Sequence, residues 1–342
     1  MGAKVLEKLI RDYMQLGFSV SSFAWQGGEP TLIGWDFFAK AVELQKQHGR
    51  EGQVVSNVLQ TNAVLLDNHW CTFLRRYNFL VGISLDGPQA IHDHYRRDHA
   101  GGGSYDKVIV AIEKCRAYKV DFNILVLLND VNVLQPEELF DFFVGKRIKF
   151  LQFIPCVEKD LQTGKIADFS ITAAQYGDFL CRIFDRWLAH GPDKISVRLF
   201  DSIVAYYVHG RHSNCTFAPR CNGYVVVEHN GDVFCCDFFV TEQWKLGNIL
   251  ERPLGEIFQN ERKKAFAQHK RTVANKCFLC RYYSVCHGGC LKDRIVRNGD
   301  YQGVSYFCAG YQQFFDHALE KLREIAARTV SGATGQYQPT SP

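Results

Sequence analysis

The chain has 342 residues, with 40 Lys and Arg against 36 Asp and Glu for a formal net charge of +4, 46% hydrophobic residues and 13 cysteines. That length suits about two domains with real cores and excludes disorder for most of the chain, while the slight positive surplus is too small to argue for a nucleic-acid partner. No stretch approaches about 18 uninterrupted apolar residues, and the opening MGAKVLEKLIRDYMQLGF carries charges throughout, so neither a spanning helix nor a secretory signal is read. A cytoplasmic location is expected, and in that reducing compartment an odd, high cysteine count points to metal rather than to disulfides.

Residues 4–16 place Val5, Leu6, Leu9, Ile10, Tyr13 and Leu16 on one helical face. After Gly17 the run FSVSSFAW (18–25) predicts a strand, followed by a helix over about 35–48 and a strand over 54–60. Helices near 67–77, 105–118, 136–145 and 172–189 then alternate with strands at 79–85, 120–128 and 149–154. Five strands, apolar along their length, with six helices predict a parallel sheet covered by helices. A βα series that begins on its helix has lost, or never had, its first strand.

Ligands of such folds bind beyond the carboxyl ends of the strands. Gln26-Gly27-Gly28-Glu29-Pro30 follows the first strand, where the glycines admit close backbone approach and Glu29 is able to hold an ammonium group. By itself the segment is also an ordinary turn. Thr61-Asn62 follows the second strand and Ser84-Leu85-Asp86-Gly87-Pro88 the third; Asp86 reads as a turn residue bonding backbone, and Ser84 as the better ligand candidate. Neither G-x-G-x-x-G nor G-x-x-x-x-G-K-[ST] occurs, which argues against a dinucleotide site or an NTPase.

Cys71, Cys115, Cys156 and Cys181 are scattered singly and read as small buried hydrophobes. The other nine cysteines crowd into residues 215–308, with a domain boundary near 195 at His190-Gly191-Pro192-Asp193. Val225 to Phe234 predicts a β-hairpin with a two-residue Asn230-Gly231 turn, and its returning strand delivers Cys235, Cys236 and Asp237. Neighbours on a strand face opposite ways, so one of these two cysteines ligates and the other packs. Further on, Cys277-x2-Cys280-x5-Cys286-x3-Cys290 precedes Cys308. Without Cys235, eight cysteines suit two four-thiolate sites, either two [4Fe–4S] clusters or two structural zincs.

Cys221-x9-Gly231-x4-Cys236, the Cys277 to Cys290 series and Cys308 resemble the SPASM domain, which in radical S-adenosylmethionine (SAM) enzymes holds two auxiliary [4Fe–4S] clusters. Adding Trp25-Gln26-Gly27-Gly28-Glu29-Pro30-Thr31, Ile83-Ser84-Leu85-Asp86-Gly87, Phe150-Leu151-Gln152-Phe153-Ile154 and Cys235-Cys236-Asp237-Phe238, the chain from residue 4 to about 328 resembles an anaerobic sulfatase-maturating enzyme. The resemblance implies an α/β fold: a partial (β/α)6 radical SAM barrel missing its first strand over 1–195, then a cysteine-rich SPASM domain with a β-hairpin and short helices over 196–328; the polar, Gly/Pro-rich composition of the chain's end predicts a disordered tail over 329–342. The resemblance also implies SAM contacts by Gln26, Gly27, Gly28, Glu29, Ser84, Arg96 and Val157. Cys215, Cys221, Cys236 and Cys290 match the ligands of the first auxiliary cluster, and Cys277, Cys280, Cys286 and Cys308 those of the second. Asp237 matches the catalytic base. Family chemistry converts a Cys or Ser of a sulfatase to Cα-formylglycine: a 5′-deoxyadenosyl radical takes a β-hydrogen, the base takes a proton and an auxiliary cluster takes the electron. The implied partners are a sulfatase polypeptide and an electron donor such as ferredoxin or flavodoxin, with no nucleic acid and no membrane.

The family reduces SAM at a third [4Fe–4S] cluster held by Cys-x3-Cys-x2-Cys after the first barrel strand. These 342 residues do not contain that motif, since their first cysteine is Cys71 and no other set has the spacing. The expectation is a truncated gene model, a wrongly chosen start or a degenerate paralogue, unable as it stands to cleave SAM and with an exposed sheet edge that favours aggregation. Two other readings of the cysteines are a SPASM-type modifier of another peptide and a non-catalytic metal-binding module.

Overall fold

Apolar side chains at helical spacing wind Ala3–Gln15 into α1, which buries Val5, Leu6, Ile10 and Met14. In the computed structural model, which describes residues 1–296 and 299–331, the chain continues through β1 (Val20–Trp25), α2 (Trp35–His48), β2 (Val54–Thr61), α3 (Asn68–Arg76) and β3 (Leu80–Ser84). Next come α4 (Gln89–Tyr95), α5 (Tyr105–Ala117), β4 (Asp121–Leu128), α6 (Pro136–Gly145), β5 (Phe150–Pro155), α7 (Ala173–His190), β6 (Ser196–Val197) and α8 (Arg198–His209). The cysteine-dense part carries β7 (Val226–Val227), β8 (Asp232–Phe234), β9 (Lys245–Asn248) and six helices: α9 (Leu254–Phe258), α10 (Glu261–Arg271), α11 (Asn275–Phe278), α12 (Tyr283–Cys286), α13 (Leu291–Ile295) and α14 (Cys308–Val330). Of the tail expected from 329, Thr329 and Val330 are helical, and 332–342 lie outside the described residues.

The larger sheet has six strands in the order β1 to β6, with parallel pairing at β1–β2, β2–β3, β4–β5 and β5–β6. The sequence reading counts five, because β6 is a two-residue strand whose only partners are Phe150 and Leu151. The helix boundary at His190 holds: a Thr172–Gln175 capping box starts α7, and Gly191 closes it at φ 115°.

The hairpin also forms, with β7 and β8 antiparallel, but its turn is not the expected one. The Glu228 amide donates to the Asp232 carbonyl at 2.8 Å and the Gly231 amide to the Glu228 carbonyl at 2.9 Å, so the loop has three residues, His229 to Gly231. Only Gly231 is left-handed, at φ 92°, which is the type I turn followed by a glycine bulge rather than a two-residue turn needing two positive φ angles.

The chain divides into two compact units that are not consecutive in sequence. The first comprises Met1–Ile83, Lys107–Phe122 and Arg220–Gln268. Its core gathers Leu6, Ile10 and Met14 of α1 with Phe23 of β1 and with Ala41 and Leu44 of α2. Two buried amides inside it pair with each other: Asn57 exchanges two 2.9 Å hydrogen bonds with Gln45 and accepts a third from Trp25 Nε1. Buried Asp12 pairs with Lys8 and accepts the Leu254 amide at 3.2 Å, which ties α1 to the start of α9.

The second unit comprises Ser84–Asp106, Asn123–Pro219 and the chain from His269 on. Here α7 and α14 approach until their backbones nearly touch. A Cβ on Gly310 would lie 2.2 Å from the Ala173 carbonyl oxygen, and one on Gly177 would lie 2.8 Å from the Gly310 Cα. Phe200 stacks on Phe314 at 5.3 Å with Phe184 edge-on to both, so aromatic packing seals the crossing. Gly310 sits two residues after Cys308, so this close approach also sets where that thiol begins its helix. Gly310→Ala is expected to cost about 1–3 kcal/mol of unfolding free energy by forcing α7 and α14 apart. Gly145→Ala, with nothing within 4 Å of its added carbon, is the control in the same urea titration.

Candidate functional site

The loop after β1 is organised by one carboxylate. Glu29 Oε1 accepts from the Thr31 amide at 2.9 Å, the Thr31 hydroxyl at 2.5 Å and the Thr61 hydroxyl at 2.7 Å, while Oε2 accepts from the Asn62 amide at 2.7 Å. Glu29 thus clamps the carboxyl end of β1 to that of β2, and Oε2 keeps acceptor capacity for a further donor. No heavy atom lies within 4 Å of where a Cβ would stand on Gly27 or Gly28, so their backbone is open to approach.

Gln26 reaches a residue 211 positions later in the same unit: its Nε2 donates to Asp237 Oδ2 at 3.2 Å. Asp237 Oδ1 accepts from the Tyr224 hydroxyl at 2.7 Å and from the Cys236 thiol at 3.2 Å. The candidate base and a candidate cofactor contact are therefore joined directly, with an exposed carboxylate oriented by an amide and a phenol. Tyr224 is absent from the sequence reading, since a tyrosine in a loop carries no motif. Desolvation of its hydroxyl pushes that phenol far up even though the residue is 43% exposed, and the Cys236 and Asp237 charges add to the rise. Cys235 and Cys236 lie just beyond β8, whose last residue is Phe234, and differ in their surroundings. Cys235 is buried, with its thiol pushed up to about 11 by burial, whereas Cys236 is half-buried, turned toward Tyr224 and Asp237, and pushed up to about 12 chiefly by burial.

In the second unit Ser84 ends β3 and Val157, fully buried, follows β5. Arg96 is not a free surface cation. Its Nε and Nη2 donate to Asp86 Oδ2 and Oδ1 at 2.5 and 3.2 Å, and Asp86 Oδ1 also accepts the Leu127 amide at 2.9 Å. Asp86 bonds backbone as expected and, beyond that, fixes the guanidinium. Fully buried His92 completes this corner: its Nδ1 accepts the Asp86 amide at 3.2 Å, and its Nε2 lies 3.0 Å from the Ser104 hydroxyl. Accepting at Nδ1 requires a neutral ring, in keeping with a pKa lowered to about 4 by burial.

Of the isolated cysteines, Cys71, Cys115 and Cys156 are buried core residues, whereas Cys181, expected buried, is half-exposed. Of the eight candidate ligands, Cys221 and Cys236 belong to the first unit, and Cys215 and Cys290 to the second. Cys277, Cys280, Cys286 and Cys308 all belong to the second and line one cleft. Among the described residues no group of three or more His, Cys, Asp or Glu is drawn together tightly enough for a single metal ion. Four soft sulfurs spread around one cleft are a donor set that suits a multi-iron cluster better than a single ion. Gln312 Nε2 approaches Cys280 Sγ at 3.6 Å, the kind of outer donor that tunes such a cluster.

Residues 2–143 match the radical SAM superfamily and residues 215–281 match an iron–sulfur cluster-binding domain, SPASM. A serine-type anaerobic sulfatase-maturating enzyme of Bacteroides thetaiotaomicron is 36% identical over 334 residues, covering 93% of this chain and 80% of the relative. A cysteine-type enzyme of Clostridium perfringens is 34% identical over 328 residues, covering 95% and 89%. The chain belongs to the anaerobic sulfatase-maturating enzyme family. A solved structure of that family, native anSMEcpe with bound AdoMet and a Kp18Cys peptide, superposes with a TM-score of 0.90 at 34% identity over 96% of this chain and 91% of the other. Membership of the maturase family brings SAM and iron–sulfur clusters as cofactors. No helix among the described residues is long and apolar enough to cross a membrane.

One pH dependence follows from the Asp86 corner of this family member. His92 takes up a proton near 6.5 when unfolded and only near 4 when folded, so between those values the unfolded chain holds the extra proton. Its contribution is complete above pH 6.5 and is lost as pH falls toward 4, by at most about 3 kcal/mol. Urea unfolding at pH 7 and pH 4.5 should show His92→Asn losing less stability on acidification than the parent; equal losses would exclude His92 as a source.

Proposed function

We propose that this chain is sulfatase maturase-like, built to oxidise a Cys or Ser side chain of a sulfatase to Cα-formylglycine with Asp237 as the base, once the ligands of a SAM-cleaving cluster are supplied. The observation that carries the reading is the Gln26–Asp237–Tyr224 arrangement beside Cys236. Two donors hold the carboxylate in one orientation, and the residue stays exposed to an incoming peptide. Bound SAM with its iron–sulfur partner supplies hydrogen abstraction at the substrate Cβ, and an auxiliary cluster supplies the electron sink. Asp237 takes the proton of the substrate thiol or hydroxyl at Oδ2, which holds a single donor, Gln26. A cysteine substrate that loses a hydrogen atom, a proton and an electron becomes a thioaldehyde, and water then exchanges its sulfur for oxygen. A serine gives the aldehyde directly.

Gln26, Gly27, Gly28, Glu29, Ser84, Arg96 and Val157 would contact SAM. Oε2 of Glu29 offers the acceptor for an ammonium group, and Arg96, fixed by Asp86, offers a cation of set orientation. Eight cysteines in two sets of four would hold two auxiliary clusters, with residues 1–195 as the barrel and 196–328 as the cluster module. The three cysteines of Cys-x3-Cys-x2-Cys are not among these 342 residues, so SAM cleavage needs ligands that these residues do not supply.

Anaerobic reconstitution should load about eight irons on the 342-residue polypeptide, as two four-iron clusters require; two zincs would refute the assignment. The polypeptide should release no 5′-deoxyadenosine above background. A version extended with a Cys-x3-Cys-x2-Cys segment should do so and convert a Cys-x-Pro-x-Arg peptide, as followed by mass spectrometry. Asp237→Asn in that version should keep 5′-deoxyadenosine formation and lose conversion by about 10²–10⁴-fold; full conversion would remove Asp237 from the mechanism.

A further inference from the structure

Between Cys286 and Cys290 the backbone adopts a conformation that L-residues avoid. His287, Gly288 and Gly289 have φ of 47°, 77° and 70°, three left-handed residues in succession, the first with a side chain. Two buried cations hold them there. The His287 carbonyl accepts from Arg294 Nη2 at 2.8 Å, the Gly288 carbonyl from Arg294 Nε at 2.9 Å, and the Gly289 carbonyl from Lys270 Nζ. Both cations are 1% exposed. Arg294 is itself locked by the carbonyls of His269 at 3.2 Å, Lys270 at 3.1 Å and Thr272 at 3.1 Å. The fit is tight: a Cβ on Gly288 would lie 2.5 Å from Arg294 Nη2.

A peptide plane that points its C=O at a cation points its N–H the other way. The plane whose carbonyl is on His287 carries the Gly288 amide, so holding that carbonyl on Arg294 turns the amide away from Arg294, two residues along from Cys286. Gly288 lines the four-cysteine cleft. An N–H donated to a ligating sulfur stabilises the added negative charge of a reduced cluster. We propose that Arg294 is a positioning residue for the cluster of Cys277, Cys280, Cys286 and Cys308: by holding the His287 carbonyl it aims the Gly288 amide at the Cys286 sulfur and raises that cluster's reduction potential. The inference rests on the reading of these four cysteines as cluster ligands.

The test uses the full chain, reconstituted anaerobically with iron and sulfide and labelled with ¹⁵N-glycine. Electron–nuclear double resonance of the reduced protein should show a glycine ¹⁵N coupling that disappears, along with half the iron, in Cys277→Ser/Cys280→Ser. If that double variant keeps its iron, the cluster reading fails rather than the turn. Arg294→Gln and Arg294→Lys should both lose the coupling and shift the reduction equilibrium at least tenfold toward the oxidised form, 59 mV for one electron, because lysine keeps the charge and lacks the fork. A parental potential in Arg294→Gln overturns the inference, and so does a shift in Arg294→Gln that Arg294→Lys abolishes, which would make charge alone responsible. Should neither variant fold, the unmutated protein decides: absence of any glycine coupling overturns the inference, and its presence at this cluster sustains it.

Discussion

Parallel pairing is the constraint on which the site depends. Strands that run the same way end at the same edge, so within each unit the loops that follow them are neighbours whether or not they are close in sequence. Glu29 exploits this directly: it lies after β1 but bonds to Thr61 and Asn62 at the end of β2. Asp86, after β3, likewise accepts the amide of Leu127 in β4. In both cases a single carboxylate turns two flexible strand ends into one rigid rim, and the residues it does not use, Gly27 and Gly28 in one unit and Ser84 in the other, remain available beside it.

Much of this was legible in the sequence because long apolar runs belong to buried strands and apolar residues at helical spacing belong to amphipathic helices. β2, α2 and α7 lie within a residue or two of their expected bounds. What was missed is either too short to have a period, as with the two residues of β6, or depends on partners far away in the chain. Arg96 looks like a surface cation until Asp86 is placed against it, and Tyr224 carries no motif until its hydroxyl meets Asp237. The Asn230-Gly231 pair signalled a hairpin correctly but not its loop length, which is set by Glu228 pairing with Asp232 on the far side.

The cysteines show the same division. Spacing separated ligand candidates from packing cysteines, and expected strand alternation set Cys236 apart from Cys235, although both lie just beyond β8. Spacing could not choose between zinc and iron–sulfur; the spread of four thiols around one cleft favours the cluster. Nor could it foresee that the turn joining Cys286 to Cys290 would need Arg294 and Lys270, because nothing in a local pattern announces which distant cation will capture a carbonyl.

The division of the first unit into three stretches also has a consequence for biosynthesis. Its amino-terminal helix bonds through Asp12 to Leu254, and its last stretch ends at Gln268. A ribosome adding about 5–20 residues per second needs on the order of 10–50 s to pass from α1 to the end of that stretch. Throughout that interval α1 and β1 have α2 and β2 to pack on while Asp12 lacks Leu254, and Cys221 and Cys236 emerge only near its end. On the proposed assignment of those two cysteines as cluster ligands, iron–sulfur loading there is tied to a late stage of translation.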